Sequence, residues 1–151
     1  MTQSDNNHIV FAIKKAAEND IYSHLVRCDE EFSPRLSTRV DLSEYSGKLH
    51  ESSITFEAWN EGLLISLVAG YFNDKGKRVY ISNVSTEKIH WGKGLGKKLI
   101  VNLIEFAKTK KFNDIRLDVY MENSKAIQLY EHLNFIKTER KNDFFTYELA
   151  L

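Results

Sequence analysis

This sequence predicts one α/β domain, a mixed sheet covered by helices on its faces, on three observations. Strand-like and helix-like segments follow one another in the order β-α-α-β-β-β-α-β-α-β-β, with no linker and no internal repeat. The run Leu63-Leu64-Ile65-Ser66-Leu67-Val68-Ala69 is apolar on both faces, which calls for a central strand. The length, 151 residues, suits one domain with its own core.

The elements follow in order. Met1 to Asn7 is polar, with the character of a frayed start and not of a signal peptide. Ile9 to Lys14 reads as the first strand, and Ala16 to about Asp29 as a helix through Ile21, Leu25 and Cys28. Phe32 to Arg39 holds the only proline and is an irregular crossing. Leu42 to Glu51 is a short helix with Tyr45 and Leu49 on one face. Three strands follow, Ile54 to Trp59, Leu63 to Phe72 and Val79 to about Ser85, separated by the hairpin signals Asn60-Glu61-Gly62 and Asn73-Asp74-Lys75-Gly76. After a glycine-rich loop, Leu95, Leu99, Leu103 and Ile100, Ile104, Ala107 mark an amphipathic helix. Ile115 to Tyr120 alternates as a strand, Asn123 to Leu133 is helical, and strands at about Phe135 to Glu139 and Phe144 to Leu149 close the chain.

Composition narrows the function. Lys+Arg 21 against Asp+Glu 21 and a pI near 7.0 argue against a dedicated nucleic-acid binder, which shows a basic excess. Lys108-Thr109-Lys110-Lys111 falls at a helix end, where cations suit the dipole. Cys28 is the only cysteine, so no intrachain disulfide forms and a cytoplasmic location is expected, with Cys28 filling space. The five histidines lack metal-ligand spacing, so no metal site is expected, and no apolar run reaches membrane-spanning length.

The most informative stretch is His90-Trp91-Gly92-Lys93-Gly94-Leu95-Gly96-Lys97, with three glycines at alternate positions between a strand and a helix. Glycine admits positive φ and lets a ligand approach the backbone. A helix start offers free N–H groups and partial positive charge, a cradle for phosphate oxygens. The spacing fits neither a dinucleotide fingerprint nor a nucleotide P-loop. A tight strand-to-helix connection accounts for the glycines equally well, so the downstream context decides between a turn and a phosphate site.

That context resembles the GCN5-related N-acetyltransferase superfamily. The first shared motif is a strand ending near Val84 and a loop of the type Gln/Arg-x-x-Gly-x-Gly/Ala, here Trp91-Gly92-Lys93-Gly94-Leu95-Gly96. The second is the strand Leu117-Asp118-Val119 followed by Asn-x-x-Ala-x-x-x-Tyr, here Asn123 to Tyr130, and a turn ending in Phe135. The resemblance covers roughly Val79 to Phe135; residues 9 to 72 match only in the order of elements. Trp91 replaces the usual Gln or Arg, which predicts weakened pyrophosphate binding. Lys88 replaces the common loop proline, and Asn134 the usual glycine, a turn that Asn tolerates.

The resemblance implies the acyl-CoA N-acyltransferase fold, a twisted, mostly antiparallel sheet of about seven strands flanked by four helices. It implies acetyl-coenzyme A as cosubstrate and transfer of acetyl to a primary amine by direct attack in a ternary complex. The amine belongs to a small molecule, an amino sugar or a peptide N-terminus. The pyrophosphate would lie on the amides from Gly92 to Lys97, and Val84 and Thr86 would pair with the pantetheine arm. The family's general acid falls on Tyr130 and a coenzyme contact on Asn123; read alone, these are a core aromatic and an N-cap. Asp118 stands where related enzymes carry a catalytic glutamate, yet a strand-end carboxylate bonded to its neighbours explains it as well. Glu57 is either a second candidate base or a solvent-facing strand position, and Asn83 orients the amine or satisfies backbone groups. A backbone N–H near Val84 would serve the oxyanion.

Candidates for the acceptor pocket are Phe32, Tyr45, Trp59, Tyr71 and Tyr80, each equally readable as core. Asp29, Glu30, Glu31, Asp41 and Glu44 around the entrance fit either a cationic amine or a solvated helix end. The alternative function is a non-catalytic acyl-coenzyme-binding sensor or interaction module, kept open by Trp91. Exposed strand edges near the C-terminus offer a route to a homodimer.

Overall fold

A computed structural model describes residues 8–151; the polar start at Met1–Asn7 lies outside the described residues. Seven strands form one sheet: β1 (Ile9–Ile13), β2 (Ile54–Asn60), β3 (Leu63–Asn73), β4 (Arg78–Thr86), β5 (Asp114–Tyr120), β6 (Ile136–Lys141) and β7 (Phe144–Ala150). The helices are α1 (Glu18–Cys28), α2 (Leu42–Ser52), α3 (Leu95–Thr109) and α4 (Ser124–His132). The strand order is β1-β2-β3-β4-β5-β7-β6, and every neighbouring pair is antiparallel except β4–β5. Element types match those expected from periodicity, with ends shifted by a residue or two. The crossing at Phe32–Arg39 includes a short 3-10 turn at Leu36–Thr38.

β3 is buried continuously from Leu64 to Gly70. It supplies Leu64, Leu67 and Ala69 to a core under α1 and α2, and Ile65 and Val68 to a larger core under α3 and α4. That division is what a run apolar on both faces requires. The α3 stripe buries Leu95, Leu99, Ile100 and Leu103 on the sheet. Asn134 takes φ +73°, the left-handed turn expected of it.

Glu57 is neither solvent-facing nor near a cleft: it is fully buried on β2. Its carboxylate accepts N–H bonds from Lys15 (3.1 Å) and Ala16 (3.1 Å), the Thr55 hydroxyl (2.5 Å) and the Trp59 indole N–H (3.0 Å). It therefore latches the β1–α1 connection to the sheet, and the expectation of a base at Glu57 is corrected. Glu57→Gln turns an N–H2 toward these donors. It should cost about 2–4 kcal/mol of stability in urea titrations, since hydrogen bonds to buried charge are strong and costly to leave unmade. An unchanged unfolding midpoint would contradict the latch.

Candidate active site

The parallel pair β4–β5 is joined only from Arg78 to Ile81 against Asp114 to Leu117. Beyond that point the strands part. Ala69 pairs with Asn83 and Gly70 with Ile81, so Ser82 is an extra residue, a bulge in β4 where the pairing with β5 ends. Bulges bend and twist the strand that carries them. β4 continues to Thr86 along β3, and β5 continues to Tyr120 along β7, leaving two facing edges without ladder partners. A cleft of about 920 Å³ runs through this split.

Strand alternation assigns the cleft walls. Leu117 and Val119 belong to the core under α3 and α4, which places Asp118 on the other face. On β4, Val84 and Thr86 lie beneath the start of α3: a Cβ built on Gly96 would be 4.0 Å from Val84 Cγ1 and 3.9 Å from Thr86 Oγ1. Asn83 and Ser85 turn instead toward α1, where Ser85 Oγ accepts from Asn83 Nδ2 (3.0 Å) and shares a hydrogen bond with His24 Nε2 (2.8 Å). His24 Nδ1–H donates to the Leu64 carbonyl (3.1 Å) and lies 3.7 Å from Glu87 Oε2. Neither His24 nor Ser85 was singled out from sequence, although His24 lies three residues after Ile21 on the buried face of its helix.

The glycine loop follows a 3-10 turn at Lys88–His90. Gly92 (φ +84°) and Gly94 (φ +73°) are left-handed, and the space where their Cβ atoms would stand is open. The first helical bond of α3 runs from Lys98 N–H to the Gly94 carbonyl (3.0 Å), so the N–H groups of Leu95, Gly96 and Lys97 point forward, out of the helix. No acidic residue offsets the helix dipole in this first turn, and Lys97 and Lys98 add to its positive end. An anion resolves that electrostatic excess. Trp91 uses its indole N–H on the Thr86 carbonyl (2.8 Å), and its ring lies under Lys125 Nζ (4.8 Å) and Lys88 Nζ (6.0 Å). Two ammonium groups thus stand over the aromatic ring at this position.

Asn123 and Tyr130 stand two turns apart on one side of α4, and both line the cleft. Asn123 Oδ1 caps the helix by accepting from Ala126 N–H (3.2 Å), leaving its amide N–H2 for another partner. Tyr130 is 6% exposed, between Phe135 and Tyr147, and burial pushes its phenol well above the ordinary range. On the opposite face, Asp118 accepts the hydroxyls of Tyr80 (3.0 Å) and Thr146 (2.6 Å) and lines the same cleft. Burial, with the Asp118 charge, raises the Tyr80 phenol too.

Of the acceptor-pocket candidates, Phe32, Tyr45 and Tyr80 line the cleft. Trp59 and Tyr71 do not line it; with Phe32 and Tyr45 they pack, partly buried, against the core beneath α1 and α2. Tyr45 bonds Ser82 Oγ at 2.6 Å, and burial pushes its phenol up to about 12. Of the five acidic residues, Glu31 alone lines the cleft. Asp29 bonds Ser37, Glu30 pairs with Arg35, and Asp41 caps α2. Cys28 is buried, and burial with the nearby Glu87 pushes its thiol up to about 12, so it is inert at neutral pH. No group of metal-binding side chains occurs among the described residues, and no helix there is long and apolar enough to cross a membrane.

Comparison with known proteins adds to this geometry. The Acetyltransferase (GNAT) family profile matches residues 18–135. Mouse thialysine N-epsilon-acetyltransferase is 29% identical over 141 residues, covering 87% of this chain and 78% of the mouse protein. Yeast N-alpha-acetyltransferase 30 is 32% identical over 71 residues; the match spans 47% of this chain and 40% of the yeast protein's length. The PaiA N-acetyltransferase of Thermoplasma acidophilum, solved in complex with coenzyme A, shares the fold with a TM-score of 0.74 at 14% identity, covering 94% of this chain and 99% of that one.

Proposed function

The chain belongs to the GNAT acetyltransferase family, and from that premise we propose that it is an N-acetyltransferase, a single catalytic domain that moves acetyl from acetyl-coenzyme A to a primary amine. The observation that carries this reading is the split between β4 and β5, where one cleft joins an anion-binding helix start to a carboxylate on the far face of the sheet. A donor entering from the α3–α4 side and an acceptor entering from the α1–α2 side meet there.

Acetyl-coenzyme A supplies the acetyl group as a thioester; the chain supplies position and protons. The amides of Gly92 to Lys97 and the lysines around Trp91 hold the diphosphate, with Asn123 as a further polar contact. The free edge of β4 at Val84 and Thr86 pairs with the amide-bearing arm, and a main-chain N–H near Val84 faces the carbonyl oxygen as charge develops on it. Asp118 orients the incoming ammonium and takes its proton. Tyr130 donates to the departing sulfur. An ammonium sheds two protons in becoming an amide: Asp118 takes the first, and the second refills Tyr130 as Tyr130 protonates the sulfur, since a thiolate is a weaker base than a buried phenoxide.

Two experiments test the reading. Coenzyme A should raise the melting temperature while ATP and NAD do not, and thiol release should appear with members of a broad amine panel. Coenzyme binding without turnover of any amine would favour a sensor instead. Asp118→Asn should lower kcat/KM at least tenfold with the coenzyme-induced melting shift unchanged; full activity would remove Asp118 from the mechanism. The free, buried Cys28 suits a reducing cytoplasm. The edge strand β6, exposed at all six residues, suits pairing of two subunits.

A further inference from the structure

Building on the amine-acetylating cleft, we propose that the acceptor is a small amine carrying its own carboxylate, an amino-acid-like zwitterion, with Arg39 as the carboxylate's anchor. Arg27, Arg35, Arg78 and Arg116 each pair with a carboxylate of the chain. Arg140 donates to the Asn142 carbonyl. The Arg39 guanidinium alone has neither an ion pair nor a hydrogen bond among the described residues, and it lines the cleft. The Phe144 ring holds it, with the guanidinium carbon 5.8 Å from the ring centroid. Its charge also acts on the phenols of Tyr45 and Tyr80, which line the same end.

The relation to Asp118 follows from the sheet. Thr146 on β7 bonds Asp118, so its side chain shares that face, and Phe144, two residues earlier, shares it as well. Two strand residues span roughly 7 Å. Arg39, over the Phe144 ring, therefore lies on the Asp118 face of the sheet, one such step along β7 from the residue that bonds Asp118. A short amine with its own carboxylate can then reach both groups, its ammonium to Asp118 and its carboxylate to Arg39. The guanidinium fork matches a carboxylate with two parallel N–H bonds. A polyamine, by contrast, would set a second ammonium against the unpaired Arg39 in this cleft, where Glu31 is the other carboxylate of the lining.

The test is a thiol-release assay with acetyl-coenzyme A on matched pairs, α- and β-amino acids against the amines their decarboxylation would leave, with spermidine alongside. Each amino acid should exceed its partner in kcat/KM at least tenfold. Arg39→Met should shrink that preference about tenfold, through KM for the carboxylated member. Arg39→Lys should restore part of it. Equal or better turnover of the decarboxylated amines or spermidine, or a preference unmoved by Arg39→Met, overturns the inference and leaves the acetyltransferase reading standing. Thiol release with no amine at all overturns both.

Discussion

Replacing Gly94 with valine should abolish most of the melting-temperature rise that coenzyme A produces, whereas alanine at Gly96 should preserve it. The two glycines sit two residues apart in one motif, and their sequence context does not separate them. Their geometry does. Gly94 is held at φ +73°, which costs an L-residue about 1–2 kcal/mol and a β-branched one more. Relief of that strain rotates the peptide that starts α3 and turns its N–H groups away from the anion. Gly96 lies inside the helix with ordinary contact distances of 3.9 and 4.0 Å waiting for a Cβ, so alanine fits. At a ligand concentration one hundred times Kd, binding stabilises by about 2.7 kcal/mol, and a hundredfold loss of affinity removes most of it. Gly94→Ala, which adds the backbone strain with the least bulk, should fall between. A full coenzyme-induced shift in Gly94→Val would mean that these amides do not hold the diphosphate.

Tyr130→Phe should lower kcat about 10²–10³-fold while leaving the melting temperature and KM for acetyl-coenzyme A near those of the parent. The ring keeps its packing against Phe135 and Tyr147, so only the proton donor is lost. Burial raises the folded-state pKa of this phenol, so the protonated donor persists to higher pH than a free tyrosine's. The kcat profile of the parent should therefore show no fall centred near 10, the ordinary tyrosine value. The same sign governs stability. A raised folded pKa contributes stability that is complete below about 10 and lost as pH rises toward the folded value. Tyr130→Phe should then soften alkaline unfolding, an effect separable from its loss of turnover. Full turnover in Tyr130→Phe would assign this residue to packing alone.

Some of this was legible without coordinates because it depends on neighbours along the chain. Helical and strand periods are local, so element types and the doubly apolar β3 could be read from spacing. The glycine loop with its helix, and the seven-residue offset of Asn123 and Tyr130, are local too. Glu57 shows where such reading ends: a lone carboxylate on a strand looks exposed until the β1–α1 connection folds over it and spends both its oxygens. Trp59 and Tyr71 have the same composition signal as Tyr45 and Tyr80, but the fold leaves them outside the cleft that the latter two line.

Sequence by itself determined which backbone segments are helix, strand and glycine turn, since those follow from steric and hydrophobic periods a few residues long. Tertiary structure alone decided where β4 and β5 separate, because the Ser82 bulge is defined only against its partner strand. It also decided that Asp118 and Tyr130 face one cleft from opposite sides of the sheet, and that Arg39 comes to rest over Phe144. Such relations join residues far apart in the chain, and no local period encodes the packing that brings them together.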